Sequence, residues 1–433
     1  MTQQRVLRIE YSQQYPWWTM VMAMALILAA PFVSVWLNYG AMALCLYRVI
    51  RYDAKVFATD YAILAPVSCV FTTSGRLSML IILALLAALV LTIREGMKAN
   101  RTFVLLLVLL NYLVMRMGGG VSKFFLCFGQ IFLLWVLLPK QDAKSAEQIA
   151  MAFCISLLVT SFYALIFRGT WQLEAVTVEE TEAIWGSGIM RFHGLIGDPN
   201  FYMTMLIMGL CLLIKLRETN RLKTVPFVLM AVAMTVLGVL TYSKTFFLVL
   251  ILLGVTYIIW QFVRKKILWG IILVVTVVVA AEFLIFSDDS PFAVVVARLL
   301  GSEDLNDLTT GRMDVYMQYL DAITKNPLTF FFGYGFGAPD LPDDPHNIYL
   351  EIGYYCGTVG LCLIVAFFAS VITGMKDQEP KVAEQSWISK YLPLTMALVL
   401  YISLNGMFMV VVYPVIFLSL LAILIPQKED ENA

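Results

Sequence analysis

The sequence predicts an all-α polytopic membrane protein of about twelve transmembrane helices, with a long, partly helical extracytoplasmic loop. Three observations carry that prediction. The 433 residues are 61% hydrophobic and 14% charged, against about 45–50% and about 25% in soluble domains. The apolar residues fall in runs of about 20, the length that crosses a roughly 30 Å hydrocarbon core at 1.5 Å per residue. Lys and Arg gather on alternate connections between those runs, as they do on the cytoplasmic side of a membrane.

In chain order the expected spans are 17–37, 76–93, 102–118, 121–138, 147–167, 200–216, 224–242, 245–262, 267–286, 347–372, 390–407 and 408–425. The first follows Arg5 and Arg8 and lacks a small-residue cleavage site, so it is expected to stay as an anchor. Region 38–75 holds two shorter apolar stretches around "RVIRYDAK"; if both cross, the total becomes fourteen. The connections at 94–101, 140–144, 215–223, 264–266 and 376–390 carry fifteen Lys and Arg. The alternate loops at 168–199, 243–244 and 287–345 carry six, in much longer sequence and beside fifteen acidic residues. Both termini are therefore expected in the cytoplasm and the two long loops outside.

This divides the chain into N-terminal helices (1–167), a first extracytoplasmic loop (168–199), central helices (200–286), a long loop (287–346) and C-terminal helices with a tail (347–433). Zero formal net charge gives no reason to expect a nucleic-acid partner. The seven cysteines form no CxxC pair and read as small core residues. The loop at 287–345 is too long to be a plain connection. Within it, "MDVYMQYLDAITKN" sets Val315, Tyr316, Tyr319, Leu320 and Ile323 on one face, an amphipathic helix lying on the membrane or capping the bundle.

Ionisable groups near membrane depth need a reason, and four outward sites stand out. In "RFHGLIGDPNFY", Asp198, Pro199 and Asn200 suit a helix start. Arg191 either pairs with Glu174, Glu179, Glu180 or Glu182 or serves a site. Lys244, in the tight turn "TYSKTFF", either snorkels to the interface or projects into a shared cavity. Arg312 after "TTG" is either an exposed helix start or, with free backbone N–H groups, an anion holder. His346 is either a solvated loop histidine or a proton acceptor, with Asp343 and Asp344 just before it and Asn347 able to fix a backbone group. His193 is the weaker histidine. Arginine grips phosphate through paired hydrogen bonds, and histidine can take a hydroxyl proton near working pH. With neither Asp-x-Asp nor a histidine cluster, the sequence points away from a metal.

Taken together, "GR" opening a loop helix, "NPLTFFFGYGFG" and "HNIYLEIGYYCGTVGL", with "RFHGLIGDPNFY" and "TYSKTFF" upstream, resemble the O-antigen ligase/polymerase superfamily over roughly residues 190 to 370. The resemblance implies a metal-independent, cofactor-free, inverting glycosyltransferase on the outer face of the cytoplasmic membrane. Its donor would be a glycan on undecaprenyl pyrophosphate and its acceptor another glycan. His346 would activate the acceptor hydroxyl, Arg191 and Arg312 would hold the pyrophosphate, and Asn200, Asp343, Asp344 and Asn347 would support them. Lys244 stands where the family commonly has arginine; it keeps the charge and loses the fork. Besides membrane lipids, the resemblance leaves room for chain-length regulator and flippase proteins as partners. A surface polysaccharide polymerase is the leading expectation. A ligase of the same family, a transporter or flippase of lipid-linked sugars, and an inactive scaffold stand as alternatives.

Overall fold

The computed structural model describes residues 15–75, 77–96, 100–137, 140–141, 143–170, 172–173, 178–181, 189–218, 220–263, 271, 312–339, 341–342 and 345–376. The expected spans at 390–407 and 408–425, the one at 267–286 apart from residue 271, and Thr309 to Gly311, Asp343 and Asp344 lie outside them.

Thirteen α-helices stand among the described residues: α1 (Trp17–Ala29), α2 (Trp36–Arg51), α3 (Ala54–Leu64), α4 (Met79–Glu95), α5 (Arg101–Met115), α6 (Val121–Leu137), α7 (Ala143–Phe167), α8 (Pro199–Glu218), α9 (Thr224–Val239), α10 (Lys244–Val263), α11 (Arg312–Thr324), α12 (Pro327–Phe332) and α13 (Ile348–Lys376). Region 38–75 thus holds most of α2, all of α3, and beyond Leu64 a short 3-10 turn and a loop. The chain is mostly helical but not purely so. Two short antiparallel strands, β1 (Val178–Thr181) and β2 (Ile189–Phe192), form a hairpin before α8, with Glu179 opposite Arg191 in register. Among the described residues, 144–167, 199–217 and 348–371 are long and apolar enough to cross a membrane.

Side-chain hydrogen bonds fix which ends of the helices meet. At one end, Asn38 Nδ2 donates to the carbonyls of Val70 and Thr72, and the Cys69 thiol donates to Ile196. At the opposite end, Arg94 donates to the carbonyls of Val49 and Ile50, Lys140 pairs with Glu95, and Arg221 pairs with Glu147. α5 and α13 run antiparallel, with Thr102 against Ser370 and Tyr112 against Cys356. The helices therefore alternate in direction, and the loops before α8, α10 and α13 share the first end.

Of the three crossing helices α8 is the most buried; a helix apolar on all sides belongs inside a bundle. Polar groups tie it to its neighbours at depth. Tyr202 Oη donates to Ser161 Oγ at 2.8 Å, and Ser156 Oγ on the same helix, α7, donates to the Ile63 carbonyl at 2.6 Å.

The span expected at 347–372 is found as α13, which breaks at Gly357 (φ 63°, ψ −175°). A break inside a bundle frees carbonyls, and these must find donors. Tyr334 N donates to the Tyr354 carbonyl at 2.8 Å, Gly335 N to Tyr355 at 2.9 Å, and Tyr112 Oη to Cys356. Glycine is required at 357 on two counts, since φ is positive and a Cβ there would lie 2.4 Å from the Phe331 carbonyl oxygen. The spacing of Gly353, Gly357 and Gly360 therefore does not serve one purpose: Gly353 faces Ile323, Gly360 faces Tyr112, and Gly357 ends a helix.

α11 caps α13 through buried Tyr319 and Ile323, with the Tyr319 and Tyr354 rings 5.3 Å apart. Leu320, expected on that face, is exposed. At 3.6 residues per turn it follows Tyr319 by 100° and falls beyond the contact stripe.

Near Tyr15, α1, α2 and α3 are pinned by a buried ion pair. Arg48 Nε and Nη2 donate to the Asp60 carboxylate at 2.7 and 2.6 Å, and Nη1 donates to the Pro16 carbonyl at 2.6 Å and to Thr19 Oγ1. Tyr15 Oη also donates to Asp60. Removing one partner of such a pair strands the other charge, at a cost of about 3–5 kcal/mol, whereas replacing both with apolar residues is close to neutral. Asp60→Ala is accordingly expected to lower the melting temperature of the detergent-solubilised protein far more than the double variant Arg48→Met/Asp60→Leu.

Candidate active site

The site is built on the head of α8. Asp198 caps it, its carboxylate accepting from Asn200 N at 2.7 Å and Phe201 N at 3.0 Å, with Pro199 at the first helical position. The cap expected of Asp198, Pro199 and Asn200 is therefore present. It aims Asn200 and Phe201 at the loops around them.

Arg191 joins three elements there. It stands on β2, its Nε donates to the Thr241 carbonyl at 2.9 Å, and its Nη2 lies 3.5 Å from Asn200 Oδ1. The neighbouring Phe192 N donates to the Leu240 carbonyl at 3.0 Å, so backbone and side chain both hold β2 against the same turn. That turn connects α9 to α10. Thr241 Oγ1 donates to the Gly238 carbonyl at 2.6 Å and accepts from Ser243 N at 3.3 Å, while Tyr242 takes a left-handed φ of 49°. Lys244, half-buried, is the first residue of α10 and follows directly from this turn.

His346 reaches the same region from the other side. Its ring centroid lies 6.4 Å from that of Phe201, the residue after Asn200. The histidine is half-buried, its Nδ1 is buried, and its φ is 44°. Left-handed φ is uncommon outside glycine, costs about 1–3 kcal/mol, and clusters at functional positions. Of the three described non-glycine residues with positive φ, Tyr242 and His346 are both here. Asn347 then caps α13, Oδ1 accepting from Tyr349 N at 3.0 Å and Leu350 N at 3.2 Å, which is the backbone-fixing role expected of it.

Arg191, Asn200 and the turn leading to Lys244 are thus brought together, with His346 one ring contact away. Arg312 opens α11, half-buried, and is linked to His346 through the packing of α11 on α13. His193 is buried in the turn between β2 and α8, its carbonyl accepting from Ile196 N at 3.2 Å. Cys69 lies beside the same turn, its thiol donating to the Ile196 carbonyl. Its surface is open at one edge, yet packing around the sulfur pushes the thiol up to about 11, and the Asp198 carboxylate adds to the rise.

Two cations at this end escape a sequence reading. The α5–α6 turn, "RMGGGVSK", carries Arg116 and Lys123, which counting by span assigns to the membrane helices rather than to a loop. Arg116 Nη2 donates to the Gly333 carbonyl at 2.6 Å. Lys123 Nζ donates to Tyr355 Oη at 3.0 Å. The signal available was the pair of cations flanking three glycines between two apolar runs. The aromatic stretch divides: Phe336 is buried against Phe124 and Tyr355, whereas Phe330, Phe331, Phe332 and Tyr349 stand exposed.

Chemically, the arrangement gathers Arg191, Lys244 and His346 at the same end of an apolar bundle, with Phe201 between the Arg191–Asn200 contact and the histidine. Cations in such a place can meet charge on a leaving phosphate, and a histidine can accept a proton. Among the described residues no group of His, Cys, Asp and Glu is arranged to hold a metal.

Residues 229–365, which include Lys244, Arg312 and His346, match the family described as O-Antigen ligase. The ComP-specific O-oligosaccharyltransferase of Acinetobacter baylyi is 23% identical over 42% of this chain and 36% of its own length. The match thus spans little more than a third of that relative. No solved structure matches the chain. With apolar helices and these motifs in order, the chain is similar over residues 229–365 to the O-antigen ligase family and, more distantly, to a membrane oligosaccharyltransferase.

Proposed function

We propose that the protein is a membrane glycosyltransferase that moves a glycan from undecaprenyl pyrophosphate onto an acceptor sugar, without a metal, at the outer face of the cytoplasmic membrane. The observation that carries the reading is Arg191, which ties β2 to the turn before Lys244 and lies beside Asn200, with His346 packed against Phe201 one residue on.

In this mechanism the polyprenyl tail lies among the helices and the pyrophosphate sits near Arg191, Lys244 and Arg312. His346 takes the proton of the acceptor hydroxyl as that oxygen attacks the anomeric carbon. The carbon–oxygen bond to pyrophosphate breaks on the opposite face, so the configuration inverts, and the cations meet the charge that builds on the departing phosphate. Exposed Tyr349 and Phe330 to Phe332 offer faces for sugar or polyprenyl. Asp343 and Asp344 precede the histidine in sequence and would tune its approach.

Both termini in the cytoplasm and the site outside is the orientation that the basic connections favour. The ion pairs of Arg94, Lys140 and Arg221 at the far end of the bundle agree with it. About twelve spans, or fourteen with α2 and α3 counted, remain the proposed total.

A polymerase would extend another lipid-linked repeat. A ligase would deliver the chain to a different acceptor, and the family description together with the relative's own name favours this second reading. Incubating purified protein with a lipid-linked oligosaccharide separates them: a ladder of lengthened lipid-linked products marks a polymerase, and transfer only when a separate acceptor is added marks a ligase. Uptake of donor without any new glycosidic bond would mean a transporter and overturn the proposal.

His346→Ala is expected to lower kcat by about 10²–10⁴-fold, the range of a general base, with expression and membrane insertion unchanged. Full activity in that variant would sink the mechanism. Lys244→Arg is expected to retain activity, while Lys244→Met raises the donor KM by about 10–100-fold, the scale of a lost hydrogen bond to a charged group.

A further inference from the structure

We infer that Arg116 is a positioning residue for His346: it latches the glycine-aromatic loop 333–337 to the α5–α6 turn and so fixes the half-helix on which the histidine is carried. The inference rests on the proposed transferase reading for its kinetic consequence but not for its structural one.

The latch can be followed bond by bond. Arg116 Nη2 donates to the Gly333 carbonyl at 2.6 Å, and Phe336 N donates to the Arg116 carbonyl at 2.8 Å, so one residue grips both ends of the loop. Backbone meets backbone beside it: a Cβ on Gly120 would fall 2.0 Å from the Phe336 carbonyl oxygen. Between these grips, Tyr334 N and Gly335 N donate to the carbonyls of Tyr354 and Tyr355, which the break at Gly357 leaves without donors from their own helix.

The loop is therefore the C-terminal cap of residues 348–356. That half-helix is about 13 Å long at 1.5 Å per residue, and His346 sits two residues ahead of it. The grip is a charged donor on a carbonyl, roughly twice as strong as a neutral pair. Arg116 is half-buried, and its Nε has no hydrogen-bond partner among the described residues. Its planar head is held by the loop on one edge only, so nothing else described competes for that grip.

Hydrogen exchange on the detergent-purified full chain, with steady-state kinetics on an undecaprenyl-pyrophosphate-linked oligosaccharide, tests this. In Arg116→Met, amides of residues 334–336 and 348–356 are expected to exchange about tenfold or more faster, with α8 unchanged. kcat should fall by about a hundredfold, the scale on which a ~1 Å misplacement costs, with the donor KM held within about threefold. Arg116→Lys should recover part of both. Gly120→Ala, which pushes the same loop off from the other side, should reproduce the exchange pattern and stands in if Arg116→Met does not fold.

Unchanged exchange in 334–336 and 348–356 would overturn the latch. So would a raised donor KM at full kcat, since Arg116 would then bind donor directly. If the unmodified protein transfers no glycan, the transferase reading fails, and the exchange pattern alone decides whether the latch stands.

Discussion

A helix that breaks inside an apolar bundle strands its last carbonyls, and three of them, on Tyr354, Tyr355 and Cys356, set the terms for the site end of this protein. In hydrocarbon an unsatisfied carbonyl costs several kcal/mol, so donors must come from elsewhere in the chain. They come from the backbone of 334–335 and from Tyr112. The glycine-aromatic loop is thus not free to wander between α12 and α13. It is hydrogen-bonded into a helix end, and the residues after it, down to His346, start from a fixed place. Most of the architecture around the site follows from that one backbone requirement.

The other half of the site hangs on α8. A helix buried on nearly all sides has little freedom to shift, and its first residues are oriented by the Asp198 cap and by the Tyr202–Ser161 bond. Arg191 and the turn at 240–243 pack against that rigid head, while His346 reaches it through Phe201. Two of the three described non-glycine residues with left-handed backbone lie where these parts meet. Tyr242 and His346 both occupy left-handed backbone, a cost that only a well-braced surrounding can hold.

Charge is distributed to match. At the far end, cations face carboxylates in pairs, Arg94 and Lys140 with Glu95 and Arg221 with Glu147. At the site end, Arg191 and Arg116 donate to backbone carbonyls, which orient a guanidinium. A guanidinium oriented in this way would suit the pyrophosphate handling proposed above. Lys244 fits the same logic with a point charge in place of a fork.

Long apolar runs, their spacing and the bias of Lys and Arg were enough to read helices, their order and their alternation, because membrane thickness leaves few other structures for such a chain. The Asp-Pro-Asn cap and the Asn347 cap were equally legible, since capping is a local bond between residues two or three apart. Local pattern could not place Arg116. Its partner, Gly333, is 217 residues away, and a rule that counts charges by span assigns it to a helix. Nor could it distinguish Gly357 from Gly353 and Gly360, because identical residues at helical spacing differ only in what approaches them. Composition and periodicity pointed to a helical membrane protein, and its motifs to the candidate residues of the site. Only the folded chain decided which of them meet, because those contacts join segments that share no sequence neighbourhood and are set by packing around α8 and by the carbonyls that α13 leaves open.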